Sequence, residues 1–340
     1  MLATGRVKPV HLLEVTDLHV TFGKRPRRTV HAVQGINLVL DPGECIAIVG
    51  ESGSGKTTLA NAIAGLIKPT RGTIRIDGEV LGVLKGHERR ELHRTYQMVF
   101  QDPSDSLNPR KTIGASVGQP LATFGVGKHA QRRERVLATL NNVGLAPAAA
   151  FIDRYPHELS GGQRQRASIG RAVILGPKLL IADEAVSALD VSVQAGVLSL
   201  LQDLRTRTGL GMLFISHDLA VVRSLATRVL VMFRGRIIES GATEELFTHP
   251  RHPYTVALLH ASPRLENASR PRVAERGVPP IATAQSDTTD FGGCPYYFRC
   301  GMRIERCAIE RPVLREVEPG HRSACFRASS VRIEPAVRSP

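Results

Sequence analysis

The chain has 340 residues, of which 42% are hydrophobic and 22% charged; this ordinary globular mix fits one large α/β domain with an appendage and excludes a disordered or fibrous protein. The formal net charge of +14 could attract nucleic acid or an anionic membrane. The basic residues are spread along the chain, apart from a cluster at 24–28, and no aromatic residues are interleaved with them. This distribution favours a solvated basic surface. No apolar run approaches the ~20 residues of a spanning helix, and the N-terminus lacks a secretion signal, so we expect a cytoplasmic protein.

The first predicted elements are three short strands in residues 11–49, within the segments LLEVTDLHVTF, VHAVQGINLVL and CIAIV. They indicate an antiparallel sheet that leads into a buried strand. A glycine-rich loop follows, and the next segment, TTLANAIAGLI, has apolar residues at the spacing of one helix face: Leu59, Ile63, Leu66 and Ile67. Strand, loop and helix therefore follow one another in order.

The pattern then changes twice along the chain. Between about 104 and 176 the sequence predicts helices, such as AQRRERVLATLNNVGL, without strand signals. From residue 177 onward, apolar strands (LLIAD, MLFIS and RVLVMF) alternate with helical stretches, which is typical of a parallel sheet covered by helices. Residues 263–290 are rich in Pro, Ser, Thr and charge and predict a linker to a cysteine-rich tail.

The glycine-rich loop GESGSGKT matches the phosphate-binding pattern G-x-x-x-x-G-K-[ST] in the required context between a strand and a helix. Its glycines allow backbone N–H groups to approach phosphates, and the following helix directs its positive end at them. We expect Lys56 to reach the β- and γ-phosphates of ATP, and the Thr57 hydroxyl to coordinate Mg²⁺. The predicted ATP-binding residues of this segment are Gly50, Glu51, Ser52, Gly53, Ser54, Gly55, Lys56, Thr57 and Thr58.

A second candidate site is the buried strand LLIAD, which ends in the carboxylates of Asp183 and Glu184. Many strands end in an acidic residue, so this feature alone is weak. Beside a phosphate loop, Asp183 is suited to hold Mg²⁺ through water, and Glu184 is suited to orient the attacking water as a general base. The sequence therefore predicts nucleotide hydrolysis as well as binding.

The segment Leu159-Ser160-Gly161-Gly162-Gln163 is the signature of ABC ATPases. Together with the phosphate loop, it makes the chain resemble that superfamily from about residue 12 to residue 262. The resemblance implies an α/β fold: an ABC-type P-loop ATPase core with a mixed sheet, an antiparallel β subdomain, a helical subdomain and a C-terminal extension that carries cysteines. The predicted domains are 8–103 (β subdomain and first part of the core), 104–176 (helical subdomain), 177–262 (rest of the core) and 263–340 (C-terminal extension).

The same resemblance assigns further site residues. Gln101 resembles the Q-loop glutamine, a ligand of Mg²⁺ that senses the γ-phosphate. Asp190 closes the D-loop and is a predicted nucleotide-binding residue, and His217 resembles the switch histidine that contacts the γ-phosphate. Together with Glu184, Gln101 and His217 are the predicted catalytic residues. Phe22 stands where the family has an aromatic residue that stacks on adenine, although a core role is the alternative.

The residues of the signature segment are also suited to form a helix N-terminus that binds an anion. Ser160 can cap the helix that follows it, and the amides of Gly161 and Gly162 at that helix N-terminus form an anion site, with Gln163 beside them. In the family this site faces the γ-phosphate held by the opposite subunit, so that two subunits enclose two ATP molecules. The resemblance therefore implies that a lone chain is a poor ATPase.

The segments VFQDPSDSLNPRKTIG, DEAVSALDVSVQAGVL and HPRHPYTVALLHASP resemble the ATPase subunits of peptide and nickel importers. This implies an ATPase at the cytoplasmic face of the cell membrane that powers dipeptide or oligopeptide import. The implied partners are two membrane permease subunits, an extracytoplasmic solute-binding protein and a second ATPase subunit, with a paralogue favoured over an identical copy. We expect no nucleic acid. The alternatives are an importer of nickel or another small solute, and a soluble ABC ATPase that acts on ribosomes or nucleic acid.

Four of the five cysteines, Cys294, Cys300, Cys307 and Cys325, have the spacing C-x5-C-x6-C-x17-C. Cytosolic thiols stay reduced, so metal ligation is favoured over disulfides. The lack of a C-x2-C knuckle favours a [4Fe–4S] cluster over Zn²⁺, and unligated thiols remain a third alternative. The tail also resembles that of peptide-importer ATPases, some of which hold such a cluster. We expect this site to lie far from the phosphate loop and to anchor the tail.

Overall fold

The computed structural model describes residues 11–23, 29–102, 106–187, 189–261 and 292–331. The basic cluster at 24–28 and the predicted linker at 263–290 lie outside the described residues. The strands are β1 (Leu13–Phe22), β2 (Val30–Leu40), β3 (Cys45–Val49), β4 (Arg71–Ile76), β5 (Glu79–Val80), β6 (Tyr96–Val99), β7 (Leu179–Asp183), β8 (Gly211–Ile215), β9 (Arg228–Phe233), β10 (Arg236–Ala242), β11 (Arg315–Glu318) and β12 (His321–Ser323).

The helices alternate with these strands in the order expected from the sequence over most of the chain. They are α1 (Lys56–Ile63), α2 (Gly86–Thr95), α3 (Ile113–Thr123), α4 (His129–Asn142), α5 (Gly161–Val173), α6 (Val191–Thr208), α7 (Leu219–Leu225), α8 (Thr243–Thr248), α9 (Pro253–His260) and α10 (Glu305–Ile309). Within the described ranges, no helix is both long and apolar enough to cross a bilayer.

The chain forms two compact units. The first contains the residues up to Leu18, then Asn37–Cys45 and Ala60–Phe214. The second contains His19–Ile36, Ile46–Leu59 and the chain from Ile215 onward.

One sheet has the strand order β2-β1-β4-β5, with β4 and β5 wholly in the first unit, and β8, β7 and β6 are neighbours in another sheet. Strands β6 and β7 are parallel, with Val99 opposite Ala182, so both strands end at the same edge. Helix α3 packs on α4 and α5, and α5 also packs on α6. The described residues between 106 and 176 contain helices and turns without strands, which confirms the predicted helical character of this segment.

In the second unit, the strand order is β11-β12-β10-β9-β3. Strands β3 and β9 are parallel, with Ile46 opposite Arg228, and the other neighbours are antiparallel. Strand β12 pairs with β10 and places Ser323 opposite Glu239. The cysteine-rich tail thus adds two strands to this sheet, because its backbone completes the hydrogen bonding of β10.

Two details differ from the sequence predictions. Helix α1 ends at Ile63, and the positive φ of 73° at Gly65 stops it. Leu66, predicted on the buried helix face, is therefore 60% exposed. Helix α2 was not predicted because its sequence GHERRELHRT is mostly charged and buries only Leu92, which leaves no apolar period to detect.

Candidate functional site

The predicted phosphate loop lies in the second unit, directly after the fully buried strand β3, and helix α1 begins at Lys56. Gly50, Gly53 and Gly55 have φ values of 154°, 77° and 103°. A Cβ atom at Gly50 would lie 2.2 Å from the Met232 carbonyl oxygen, and one at Gly55 would lie 2.2 Å from that of Ala32. These two positions therefore need glycine because neighbouring backbone approaches too closely for any side chain.

Lys56 is buried, and its ammonium group folds back onto the loop. Its Nζ donates to the carbonyl oxygens of Gly50 at 2.8 Å and Glu51 at 2.9 Å. Thr57 is exposed, and Thr58 is half-buried. The Ser54 hydroxyl is buried and accepts or donates no hydrogen bond within the described residues. The loop thus brings a cation, hydroxyls and backbone N–H groups into one short segment.

The predicted hydrolytic carboxylates lie in the first unit at the end of β7. Asp183 is the buried last residue of that strand. Glu184 follows with a φ of 47°, a left-handed conformation that costs a residue with a side chain roughly 1–2 kcal/mol. The Ser187 hydroxyl and backbone N–H both donate to the Glu184 carbonyl oxygen, at 2.9 Å and 3.1 Å, and these bonds hold the strained turn.

Gln101 meets Glu184 directly. Its Nε2 donates to Glu184 Oε2 at 2.8 Å. The contact follows from the sheet, because β6 ends at Val99 beside the end of its parallel neighbour β7. The structure thus brings together two of the three predicted catalytic residues.

The signature segment opens helix α5 in the first unit. Ser160 Oγ accepts from the Gln163 N–H at 3.3 Å, and Gln163 Oε1 accepts from the Ser160 N–H at 3.0 Å, which is a complete capping box. A Cβ atom at Gly162 would lie 2.1 Å from Val193 Cγ1 of α6. Ser160 is exposed, so the helix N-terminus is open to a ligand.

Asp190 caps α6, which packs against α5. Its Oδ1 accepts from the Val193 N–H at 3.1 Å and the Ser192 hydroxyl at 2.8 Å. The Ser192 hydroxyl and then the Val193 N–H keep the pKa of the Asp190 carboxyl below its usual value. These hydrogen bonds orient the N-terminus of α6, and the predicted contact of Asp190 with nucleotide stays a prediction.

The remaining predicted site residues, His217 and Phe22, lie in the second unit. His217 is exposed and follows β8, one residue before Asp218, which caps α7 through its side chain. Phe22 ends β1 and is 43% exposed. Exposure of a large aromatic ring favours a stacking surface over the alternative core role.

Three contacts at Glu51 were not predicted from the sequence. The backbone N–H of Glu51 donates to the Tyr254 hydroxyl at 2.9 Å. The guanidinium of Arg299 donates two parallel hydrogen bonds to the Glu51 carboxylate, at 2.7 Å and 2.8 Å. The only sequence signals were an acidic residue inside a phosphate loop and the Tyr254 of the HPYT element, and neither identifies its partner.

An aromatic group joins these contacts to the body of the second unit. Phe233 packs on Tyr254 with ring centroids 4.6 Å apart and on Tyr296 at 5.5 Å, and Tyr254 and Tyr296 are 5.4 Å apart. The Arg299 guanidinium lies over the Tyr296 ring at 5.5 Å. The expectation that the cysteine site lies far from the phosphate loop is therefore wrong, because Arg299, the residue before Cys300, contacts Glu51 in that loop.

Three of the tail cysteines lie in or against one buried core of the second unit. Cys294 and Cys307 belong to its buried core, with Cys300 packed against it, and the Cys294 N–H donates to the Cys307 carbonyl oxygen at 2.8 Å. Burial raises the pKa of the Cys325 thiol to about 11, and the nearby Cys300, Cys294 and Cys307 contribute to this increase. The tail also inserts His321 against the buried Glu239, with 2.8 Å between Nε2 and Oε1.

Comparisons with known proteins agree with this geometry. The ABC transporter family model matches residues 33–187, and the model of the oligopeptide/dipeptide transporter C-terminal region matches residues 238–307. A Brucella ovis protein described as a peptide import ATP-binding protein is 47% identical over 318 residues, which cover 93% of this chain and 98% of that protein. The oligopeptide transport ATP-binding protein OppF of Salmonella typhimurium is 45% identical over 329 residues, 93% of this chain and 96% of OppF.

Solved structures show the same relationship. The ATP-binding cassette MJ0796, in its dimeric post-hydrolysis state bound to ADP and Pi, superimposes with a TM-score of 0.62 at 30% identity and covers 68% of this chain and 98% of that one. The structure places the glycine-rich loop after β3, Asp183 and Glu184 at the end of β7, and a capping box at the start of α5. On these grounds, the chain belongs to the ABC transporter family of ATP-binding ATPase subunits.

Proposed function

We propose that this chain is the ATP-hydrolysing subunit of an ABC transporter that imports dipeptides or oligopeptides. The observation that carries the cargo assignment is the match of residues 238–307 to the oligopeptide/dipeptide transporter C-terminal region. Relatives named for peptide import match over nearly their whole length, which supports the same reading for the entire chain.

Nucleotide binding is assigned to the loop from Gly50 to Thr58. Its N–H groups and the N-terminus of α1 surround the phosphates. The Lys56 ammonium donates to the loop carbonyl oxygens of Gly50 and Glu51, and we propose that it also contacts the β- and γ-phosphates of ATP. Phe22 supplies an exposed ring for stacking on adenine.

Hydrolysis is assigned to the residues that follow β6 and β7. Thr57, Gln101 and Asp183 are the proposed holders of Mg²⁺, which would neutralise the developing phosphate charge. Glu184 is the general base that orients the attacking water, and its hydrogen bond from Gln101 sets the direction of the carboxylate. His217 is the proposed contact of the γ-phosphate.

A second ATPase subunit completes each site in this proposal. The N-terminus of α5 carries the exposed Ser160, the half-buried Gly161 and the buried Gly162, and we propose that its hydroxyl and amides bind the γ-phosphate held by the opposite subunit. Gln163 and Asp190 support this surface by capping α5 and α6. The solved dimeric cassette MJ0796 supports a paired arrangement, and we favour a paralogue as the partner.

The remaining partners follow from the importer assignment. Two membrane permease subunits would contact the helical segment within 104–176, and a solute-binding protein outside the cell would deliver the peptide. The chain would then work at the cytoplasmic face of the membrane. The four domains predicted from the sequence, 8–103, 104–176, 177–262 and 263–340, remain our working division of the chain.

We further propose that Cys294, Cys300, Cys307 and Cys325 hold one metal centre, for which we favour [4Fe–4S] over Zn²⁺. The proposal is supported by the position of Cys294 and Cys307 in one buried core, with Cys300 packed against it, and four thiolates suit both metals. Such a centre would supply cross-links among the turn before Cys300, helix α10 and the residues after β12. The thiols of this chain therefore serve to fold the tail onto the second unit.

The cargo is tested on the complex purified with its permease and solute-binding partners. We expect peptides to stimulate ATP hydrolysis severalfold and Glu184→Gln to abolish that stimulation. Stimulation by nickel chelates and not by peptides would replace the peptide assignment with the small-solute alternative. Stimulation by ribosomes, without association with permeases, would reject the importer assignment altogether.

The metal centre is tested on protein purified without oxygen. We expect brown protein with about four irons per chain, and Cys300→Ser should remove the colour. Cys45→Ala is the matched control, because Cys45 lies in β3 outside the cluster and its loss should keep the colour. Colourless protein with one zinc per chain would decide for Zn²⁺, and metal-free protein would reject both.

A further inference from the structure

The phosphate loop contains an acidic side chain at a place where ATP brings several negative charges. The Glu51 carboxylate is half-exposed, with 38% of the side chain accessible, and Arg299 binds both of its oxygens. A two-pronged guanidinium–carboxylate contact fixes direction as well as charge. Arg299 therefore neutralises a carboxylate that would otherwise repel the phosphates.

Tyr254 fixes the same residue through the backbone. The peptide group between Gly50 and Glu51 donates its N–H to the Tyr254 hydroxyl, and its carbonyl oxygen accepts from Lys56 Nζ. A peptide group is planar, so the bond to Tyr254 also sets the direction of the carbonyl that holds the ammonium. Burial raises the pKa of the Tyr254 hydroxyl, which keeps it neutral and able to accept this hydrogen bond.

Both partners come from rigid surroundings. The Tyr254 side chain is fully buried and packs on Phe233 and Tyr296. Arg299 ends a short 3₁₀ turn, Tyr297–Arg299, that lies between two of the tail cysteines. Its guanidinium contacts the Tyr296 and Phe233 rings. The two contacts to Glu51 therefore depend on how the tail is folded.

We infer that Arg299 and Tyr254 are positioning residues of the nucleotide site, and that the cysteine-bearing tail is thereby part of that site. Neither residue needs to touch ATP, since both act through Glu51. The inference rests on the proposed role of the phosphate loop in ATP binding. It extends that role, because a segment about 250 residues away in the chain sets the charge and the backbone direction of the loop.

The pairing of Arg299 with Glu51 predicts the direction in which the affinity for Mg·ATP changes. Calorimetry on the full-length chain measures the dissociation constant of Mg·ATP. Arg299→Gln leaves the Glu51 carboxylate without its counter-charge and should weaken binding about tenfold. Glu51→Gln removes that carboxylate, and its own dissociation constant is the reference for the double substitution. The double substitution should bind Mg·ATP to within about threefold of Glu51→Gln, because no unpaired carboxylate remains. Arg299→Lys keeps the charge but loses the two-pronged geometry and should be intermediate.

Arg306→Gln is the matched control, because Arg306 also lies in the tail but pairs with the exposed Glu310. It should leave the dissociation constant unchanged. An equal effect of Arg299→Gln and Arg306→Gln, or a double variant no better than Arg299→Gln, would overturn the inference. Tyr254→Phe, which keeps Arg299 and the ring packing, should weaken binding about threefold, and unchanged binding there would also count against it.

Lys56→Ala tests the nucleotide site separately from the role of the tail. Lys56→Ala should abolish Mg·ATP binding whatever the role of the tail. If Lys56→Ala binds normally, the phosphate loop itself is misassigned. If Lys56→Ala fails to bind while Arg299→Gln and Tyr254→Phe bind like the parent chain, the nucleotide site stands and the tail is excluded from it. Should Arg299→Gln not fold, Tyr254→Phe and the double variant decide.

Discussion

The loops after β3 and after β7 follow similar strands but differ in the type of residue that adopts positive φ. Both strands are five residues long and fully buried. The loop after β3 uses glycines at positive φ, and at Gly50 and Gly55 a backbone oxygen lies 2.2 Å from where a Cβ atom would be. The loop after β7 instead places Glu184, a residue with a side chain, at positive φ and holds it through Gln101 and Ser187.

The difference reflects two kinds of chemistry. A phosphate is bound by many weak backbone donors, so the loop after β3 removes side chains to bring the backbone close. A general base must present one carboxylate in one direction. The loop after β7 therefore holds Glu184 in a strained backbone conformation that directs its carboxylate. The first loop should therefore be sensitive to added atoms, and the second to the loss of one functional group.

The largest effect is expected at Glu184. Glu184→Gln keeps the side-chain shape but removes the proton acceptor, so ATP hydrolysis in the assembled complex should fall about 10²-fold or more. Phosphate release measures this rate, and the dissociation constant of ATP should stay unchanged. Near-normal turnover would show that Glu184 is not the base.

The glycines of the first loop should differ in how well they tolerate an added methyl group. Gly55→Ala places a Cβ atom 2.2 Å from the Ala32 carbonyl oxygen and should destabilise the fold by about 2–3 kcal/mol and weaken ATP binding. Gly53→Ala is the control, because no atom lies within 4 Å of its Cβ position, and only the left-handed backbone should cost about 1 kcal/mol. Thermal unfolding and ATP titration of both variants test this, and equal losses would contradict it.

Loss of the Gln101 amide should have a smaller effect on the second loop. Gln101→Ala removes one hydrogen bond from the Glu184 carboxylate, and hydrolysis should fall about tenfold, the equivalent of ~1.4 kcal/mol. ATP binding should change little, and transport should fall at least as much as hydrolysis. Unchanged transport and hydrolysis would remove Gln101 from the mechanism.

Acidification should lower the free energy of unfolding by about 1 kcal/mol through His252, which lies beside the contact of Tyr254 with the first loop. His252 caps α9, the helix that presents Tyr254, by accepting from the Tyr254 N–H at 3.0 Å. Burial lowers its pKa from 6.5 to about 3. Between these values the unfolded chain binds a proton that the folded chain does not, so stability falls as the pH decreases below 6.5.

The measurement is the free energy of unfolding by denaturant at pH 7 and at pH 5.5. His252→Asn keeps a cap acceptor but cannot titrate, so its loss of stability between these pH values should be about 1 kcal/mol smaller than in the parent chain. The same loss in both proteins would show that His252 is protonated in the folded state or does not determine acid stability.

Much of the candidate site could be predicted because its motifs are local. Glycines at fixed offsets between a strand and a helix specify the loop at Gly50–Thr57, and a Ser-x-x-Gln pattern specifies the cap at Ser160. The sequence prediction for the segment after α1 is wrong because one residue there overrides the apolar period. The apolar period continues past Ile63 to Leu66, while Gly65 ends the helix and turns that side chain to solvent.

The sequence by itself determined the phosphate loop, the pair of carboxylates after β7 and the signature helix, since each is specified by residues that are near neighbours in the chain. Only the tertiary structure decided that Tyr254 and Arg299, 203 and 248 residues from Glu51, hold that loop. Their positions depend on the packing of three aromatic rings and on the pairing of β12 with β10. No local period or turn encodes such a contact, because it forms only when distant segments bury their surfaces together.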